Sequence, residues 1–233
     1  MPKPVLVIMT RWHAPYRCKR RLAQEIGAEQ AALIQKKLTI HTISVAKTMQ
    51  KKGFIDLRLA IEGIGFNKIK QVSKAFGIKD ALPQGEGNLG VKMKRQVQKI
   101  QKRNVRNNRN GLATIIIGTD LPSLCELDLI QALKKLDKAD MVLGPAQDGG
   151  YWLLGLAGKS INPLTTTPFD GIKWGTSSVL KQTITKAKKK GICYELVNYK
   201  NDLDQIEDLE PWLKLKDSQD SLLLYPPSTN LKG

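Results

Sequence analysis

Histidine is nearly missing from these 233 residues: only His13 and His41 occur. A histidine-based metal cluster or a Ser-His-Asp triad therefore has almost nothing to be built from. Cysteine is scarce as well. Cys18, Cys125 and Cys193 are far apart and odd in number, and no Cys-x-x-Cys is present, so neither a disulfide framework nor a zinc site is supported. There is no long apolar run. Val5 to Met9 is too short for a bilayer span or a signal h-region, and Arg11 follows closely, so a cytoplasmic protein without a membrane span is expected. Aromatic residues make up 6% of the chain and are not interleaved with its basic runs, which counts against nucleic acid as a partner. The catalytic repertoire is reduced to carboxylates, Lys and Arg.

What is present is an ordinary globular composition, 41% apolar and 25% charged, in a chain long enough to bury a substantial core. No linker interrupts it, so a single domain over residues 1–216 is expected. Beyond Lys216 the periodicity is lost, and Pro226-Pro-Ser suggests a flexible tail over 217–233. Lys and Arg number 38 against 21 Asp and Glu, a formal charge of +17. Such an excess attracts anions: nucleotides, acidic sugars, nucleic acid or an anionic membrane surface. Much of it falls on helix-patterned stretches such as Lys92 to Arg109 and Lys186 to Lys190, where solvated faces explain it.

The chain is organised around Ala113 to Pro122. Its β-branched run reads as a strand buried on both faces, ending at Gly118-Thr119 with Asp120 just beyond its carboxyl end. Ligands of open α/β sheets bind at that place. Pro122 and Ser123 then open a helical pattern through Leu124, Leu127, Ile130, Leu133 and Leu136. Asp120 can hold a hard cation there, or simply make an Asx turn and cap the helix. Pro4 to Thr10 is a first central strand, and the loop Arg11 to Arg21 carries five cationic side chains, which suits a polyphosphate. Helix follows from Leu22 to about Lys51, with a break at Gly27.

Phe54 to Ala60 reads as a second strand and Asn67 to Phe76 as a short helix. Gly85 to Gly90 matches Gly-x-Gly-x-x-Gly, but no apolar strand precedes it and no acidic residue follows at the required distance. A dinucleotide fingerprint is rejected. The glycines instead let the backbone approach a ligand or turn into a helix over Leu89 to Arg103. Asp140 to Ala146 and Tyr151 to Leu156 are strands around Gln147-Asp148-Gly149-Gly150. This is a hairpin signal, and also a floor over which a sugar or phosphate can pass. Gly158 to Pro168 reads as a substrate-side loop, Thr176 or Ser177 as the cap of a helix, and Ile192 to Val197 as a late strand. Asp204 and Glu207 have capping-box spacing, leaving Asp202 freer to face a ligand.

Taken together, Lys19-Arg-Arg-Leu22, Gln84 to Gly90 with Met93, Ile117 to Pro122, Gly144 to Tyr151 with Gly155, Gly171 to Thr176, and Asp202-Leu-Asp204 with Glu207-Asp-Leu209 resemble the DUF2064 family. These are bacterial glycosyltransferase-like proteins within the GT-A nucleotide-diphospho-sugar transferase superfamily, related more distantly to cofactor guanylyltransferases. The resemblance implies an α/β GT-A fold, a three-layer α/β/α sandwich with a mixed, mostly parallel sheet. It also implies a transferase using Mg or Mn, with a nucleotide sugar or nucleoside triphosphate and a small-molecule acceptor as partners. Asp120 and Asp202 would hold the metal. Arg11, Lys19, Arg21, Gly87 and Thr119 would surround the phosphates, Gly149, Gly150 and Trp174 the substrate, and Asp148 would act on the sugar or acceptor. The chain departs from the family loop by Tyr16 in place of Gly and Arg20 in place of Thr. A nucleotidyltransferase using the same site, and a non-catalytic anion- or RNA-binding protein on the same scaffold, are the competing expectations.

Overall fold

The computed structural model describes residues 3–105, 111–158 and 168–209. Its centre is β1 (Val5–Arg11), buried along nearly its whole length because apolar side chains point to both faces. On one side β1 pairs in parallel with β2 (Asp56–Glu62), which pairs in parallel with β3 (Asp80–Pro83). On the other it pairs in parallel with β4 (Thr114–Ile117). Beyond β4 lie β5 (Met141–Pro145), β6 (Tyr151–Leu156) and β7 (Tyr194–Leu196). The order across the sheet is β3-β2-β1-β4-β6-β5-β7. Only β6 runs against the rest, since it is antiparallel to both β4 and β5 while β5 and β7 are parallel. The Asp-Gly-Gly segment is thus the turn of a true hairpin, and the sheet is mixed as expected.

Helices cover both faces. Against Leu6, Ile8, Leu59 and Ile117 pack α2 (Ala28–Lys51), α3 (Phe66–Phe76) and α5 (Glu126–Leu136). Val7, Met9, Ile116 and Leu154 face α4 (Leu89–Val105) and α6 (Val179–Lys189). The short α1 (Arg20–Ile26) precedes α2 across Gly27, whose φ of 87° breaks the helix where the sequence suggested. Among the described residues no helix is long and apolar enough to cross a membrane.

Several boundaries differ from the sequence reading, each for a local reason. The second strand begins two residues later than expected and runs through Glu62, which places a carboxylate at its carboxyl end. β3 went unrecognised because it is a four-residue edge strand, half-buried and ending in proline. Pro122 and Ser123 form a turn, not a helix start; α5 begins at Glu126, where the Asp128 carboxylate accepts the Cys125 N–H at 2.9 Å. Helix α6 is preceded by Ser178 and takes no side-chain cap from it. Asp204 does not cap with Glu207. Instead the Asp208 carboxylate accepts the N–H groups of Asp204 (2.9 Å) and Gln205 (2.8 Å). Most of the Gly158 to Pro168 loop, and the tail, lie outside the described residues.

Candidate active site

A cavity of about 350 Å³ opens at the carboxyl ends of β1, β2 and β4, beside the point where the strand order turns back on either side of β1. Arg11, Lys19, Asp120, Asp148 and Asp202 all line it, so the cationic first loop and the carboxylate after β4 do meet. Asp120 is placed by two distant chain segments at once. Its carbonyl accepts the Leu203 N–H at 2.8 Å, its carboxylate pairs with Lys19 Nζ, and that ammonium also donates to the Leu203 carbonyl. The Lys19 side chain is only 3% exposed whereas that of Asp120 is 48% exposed. Lys19 therefore offers a ligand no freely movable ammonium, as the loop sequence alone suggested it would; it fixes Asp120 and leaves the carboxylate facing the cavity.

Asp202 lies beside the same group. Burial raises its carboxyl above the usual range, the charges of Asp148 and Asp120 raise it further, and a backbone N–H and Lys19 oppose them. Asp148 is oriented by an Asx turn in which Oδ1 accepts the Gly150 N–H at 2.7 Å. Arg11 lies 3.7 Å from Glu62, which also takes Lys92 Nζ at 2.5 Å. Although burial alone would raise it, these two cations hold the Glu62 carboxyl below its usual range. Burial also raises the Cys18 thiol, so the cysteine lining the cavity is kept from being a thiolate nucleophile.

The remaining expected site residues have other partners. The Thr119 hydroxyl turns into a buried network with Gln35 Nε2 (2.9 Å) and Thr10 (3.3 Å), the latter in turn 3.1 Å from Thr39. This network ties the ends of β1 and β4 to α2, and only the cavity wall is left for Thr119 to contribute. Arg21 lies outside the cavity lining and pairs at the surface with Asp204, which does line it, at 3.3 Å. Gly87 is an exposed turn residue with φ 107°, also outside the lining. Gly149 and Gly150 are not in the lining either. Gly149 has φ 82°, and a Cβ there would fall on the Ser177 carbonyl, so its lack of a side chain serves hairpin packing. Gly149→Ala is expected to destabilise the protein by about 3 kcal/mol, measurable as a lowered denaturation midpoint. Trp174 fills the space beside Gly90 and meets Tyr151 edge-on, with ring centroids 6.2 Å apart. Tyr151, not Trp174, reaches the cavity.

Sequence reasoning passed over Glu62, Gln84 and Trp152, which line the cavity. The usable signal was position: Glu62 ends β2 and Gln84 follows β3. Gln84 spends both amide hydrogens on the carbonyls of Thr10 (2.9 Å) and Ala60 (3.1 Å), leaving its oxygen as its only ligand-directed group.

His13, in the basic loop, rests against Trp12 with ring centroids 4.1 Å apart. Burial, aided by the Lys36 charge, lowers it to about 4. The folded state thus resists protonation of a group that protonates near 6.5 when unfolded. Its contribution to stability is complete above about pH 6.5 and is lost as pH falls toward 4. Part exposure reduces the effect to on the order of 2 kcal/mol. His13→Gln is expected to flatten the denaturation curve across that window relative to the wild type.

The sequence profile of DUF2064, described as an uncharacterized protein conserved in bacteria, matches residues 45–176. The chain belongs to the DUF2064 family. The matched part of this DUF2064 protein contains Asp120 and Asp148, whereas Lys19 and Asp202 fall outside it. Among curated proteins none matches it in sequence. Its fold is shared with a crystal structure from Desulfovibrio desulfuricans G20, named as a candidate nucleotide-diphospho-sugar transferase. The two are 23% identical, with a TM-score of 0.81 over 96% of this chain and 94% of the other. The fold also matches a 4-diphosphocytidyl-2C-methyl-D-erythritol synthase at 11% identity, with a TM-score of 0.56 over 89% and 95% of the two chains. A synthase of the same name from Anaerococcus prevotii DSM 20548 matches at 10% identity, with a TM-score of 0.54 over 91% and 99%. The DUF2064 chain thus shares the α/β architecture of these structures.

Proposed function

We propose that this DUF2064 protein transfers a sugar from a nucleoside-diphosphate sugar to an acceptor hydroxyl, assisted by Mg²⁺ or Mn²⁺. The observation that carries this reading is the convergence of Asp120, Asp148 and Asp202 on one cavity at the carboxyl edge of the sheet. Asp120 and Asp202 are the groups that would hold the ion. The donor set fits: Mg²⁺ is commonly held by one or two carboxylates and completes its shell with water and substrate phosphates. Among the described residues no group of three or more His, Cys, Asp or Glu side chains is arranged to hold a metal ion. The mutual repulsion that helps raise Asp202 is the kind of charge a divalent cation relieves. When bound, the ion would neutralise charge on the departing diphosphate.

The chain's own residues supply orientation and proton handling. Lys19 holds Asp120 in place, and Arg11 adds positive charge at the mouth. Asp148 is suited to receive the acceptor proton while the acceptor oxygen bonds to the anomeric carbon and the bond from that carbon to phosphate breaks. The likeness to the Desulfovibrio structure supports the donor class. A second reading, nucleotidyl transfer onto a phosphorylated small molecule, is favoured by the likeness to the diphosphocytidyl-product synthases. Product analysis separates the two. Release of nucleoside diphosphate from a nucleotide sugar supports glycosyl transfer, whereas release of pyrophosphate from a nucleoside triphosphate would replace it with the second reading.

A further inference from the structure

The carboxyl edge of the sheet on the β1–β3 side carries apolar side chains in water. Tyr16 is 78% exposed, Phe66 52%, Leu89 50% and Val91 43%. They follow three neighbouring strands: Tyr16 comes after β1, Phe66 after β2, and Leu89 with Val91 after β3. The loops after β1 and β2 are joined, because Arg17 donates to the Gly63 carbonyl at 3.2 Å and Trp12 donates its N–H to the Glu62 carbonyl at 2.8 Å. Leu89 also lines the cavity itself. Single exposed apolar residues are normal; several on adjacent loops of one edge are not.

The first two of these loops carry cations and no acid, whereas the third carries the exposed Glu86. Neither 11–24 nor 63–79 contains an acidic residue, and Arg17, Arg20, Lys68 and Lys70 stand exposed within them. Tyr16 adds an independent observation. Its φ is 63°, a backbone conformation that disfavours any side chain, yet the ring it carries is left in solvent and contributes nothing to the core. Strain of that kind accumulates where function requires it.

We propose that this edge is a docking surface for an anionic lipid bilayer, with the apolar tips entering the headgroup boundary and the cations meeting the lipid charge. The cavity mouth then faces the membrane surface, and the acceptor is a hydroxyl presented by a lipid headgroup. Docking stands on these edge residues alone; the acceptor's origin rests on the transferase reading. Single-stranded nucleic acid is the weaker occupant, because stacking needs an open aromatic face and Lys70 already lies 4.7 Å over the Phe66 ring.

Sedimentation of the full chain with phosphatidylcholine vesicles, with and without about one-third phosphatidylglycerol, tests the surface without any nucleotide, so its outcome leaves the transferase reading untouched. Binding is expected only to the anionic vesicles, and to weaken with salt. Tyr16→Gly with Phe66→Ser should weaken it about tenfold, and Lys68→Ala with Lys70→Ala about thirtyfold. Thermal melts of each variant confirm folding, and Tyr16→Gly relieves backbone strain. Lys188→Ala with Lys189→Ala, equally exposed but on α6, should change binding less than about twofold. Absence of binding would overturn the proposal, as would an equal loss in the α6 variant, which would mean bulk charge alone. Displacement from vesicles by single-stranded RNA that depends on Tyr16 and Phe66 would assign the surface to nucleic acid and overturn it likewise.

Discussion

Asp120→Asn is expected to lower turnover at least about a hundredfold; it keeps the volume and an oxygen acceptor, but the buried Lys19 ammonium loses its counter-charge, so a lowered melting temperature is expected as well. The half-exposed carboxylate is the group proposed to hold the divalent cation, and the Leu203 N–H bonds to its main chain, not its side chain. The backbone placement therefore survives the substitution. Any rise in melting temperature given by nucleotide with Mn²⁺ should vanish in this variant, since stabilisation by ligand requires binding to the folded state. Steady-state kinetics and a melt with and without Mn²⁺ check both halves. A variant with wild-type turnover would remove Asp120 from the chemistry.

Lys19→Met is expected to cost both stability and activity. The ammonium is buried and serves two acceptors, the Asp120 carboxylate and the Leu203 carbonyl. Methionine fills the volume and leaves both without their donor. A fully buried pair broken on one side costs about 3–5 kcal/mol. Asp120 can recover water, so about 2 kcal/mol is expected, or roughly 4–8 °C in a chain of this size. Turnover should fall because Asp120 is no longer held. The double variant Lys19→Met/Asp120→Asn should be more stable than Lys19→Met alone, since the orphaned charge has gone. Strict additivity of the two effects would mean that the pair does not act as a unit.

How far the sequence could be read depended on whether the deciding interaction was local. β1, β4 and the β5–β6 hairpin were legible, because β-branched runs and Asp-Gly-Gly act through near neighbours. Edge strand β3 was not, since four half-buried residues ending in proline carry no periodic signal. Cys125 precedes α5 without the usual capping oxygen, so the turn at Pro122 was mistaken for the helix start. The site divides in the same way. Asp120 and Asp148 were visible as carboxylates beside strand ends, and the structure puts both at the cavity. The burial of Lys19 against Leu203, 184 positions away, and the inward turn of Thr119 toward Gln35, are tertiary facts that no spacing encodes. Tyr16 and Lys19 both have positive φ in the first loop, at 63° and 47°. Neither is glycine, so the chain's composition there conceals the turn it makes.

The carboxylates and cations of the cavity are proposed to form one polyphosphate site completed by a metal ion. A thermal-shift panel of nucleoside diphosphates and nucleotide sugars, each with and without Mn²⁺, tests this directly on the wild-type chain. The expected result is a rise in melting temperature of several degrees for at least one nucleotide only when Mn²⁺ is present. No shift at millimolar ligand, or the same shift with and without the metal, would contradict it.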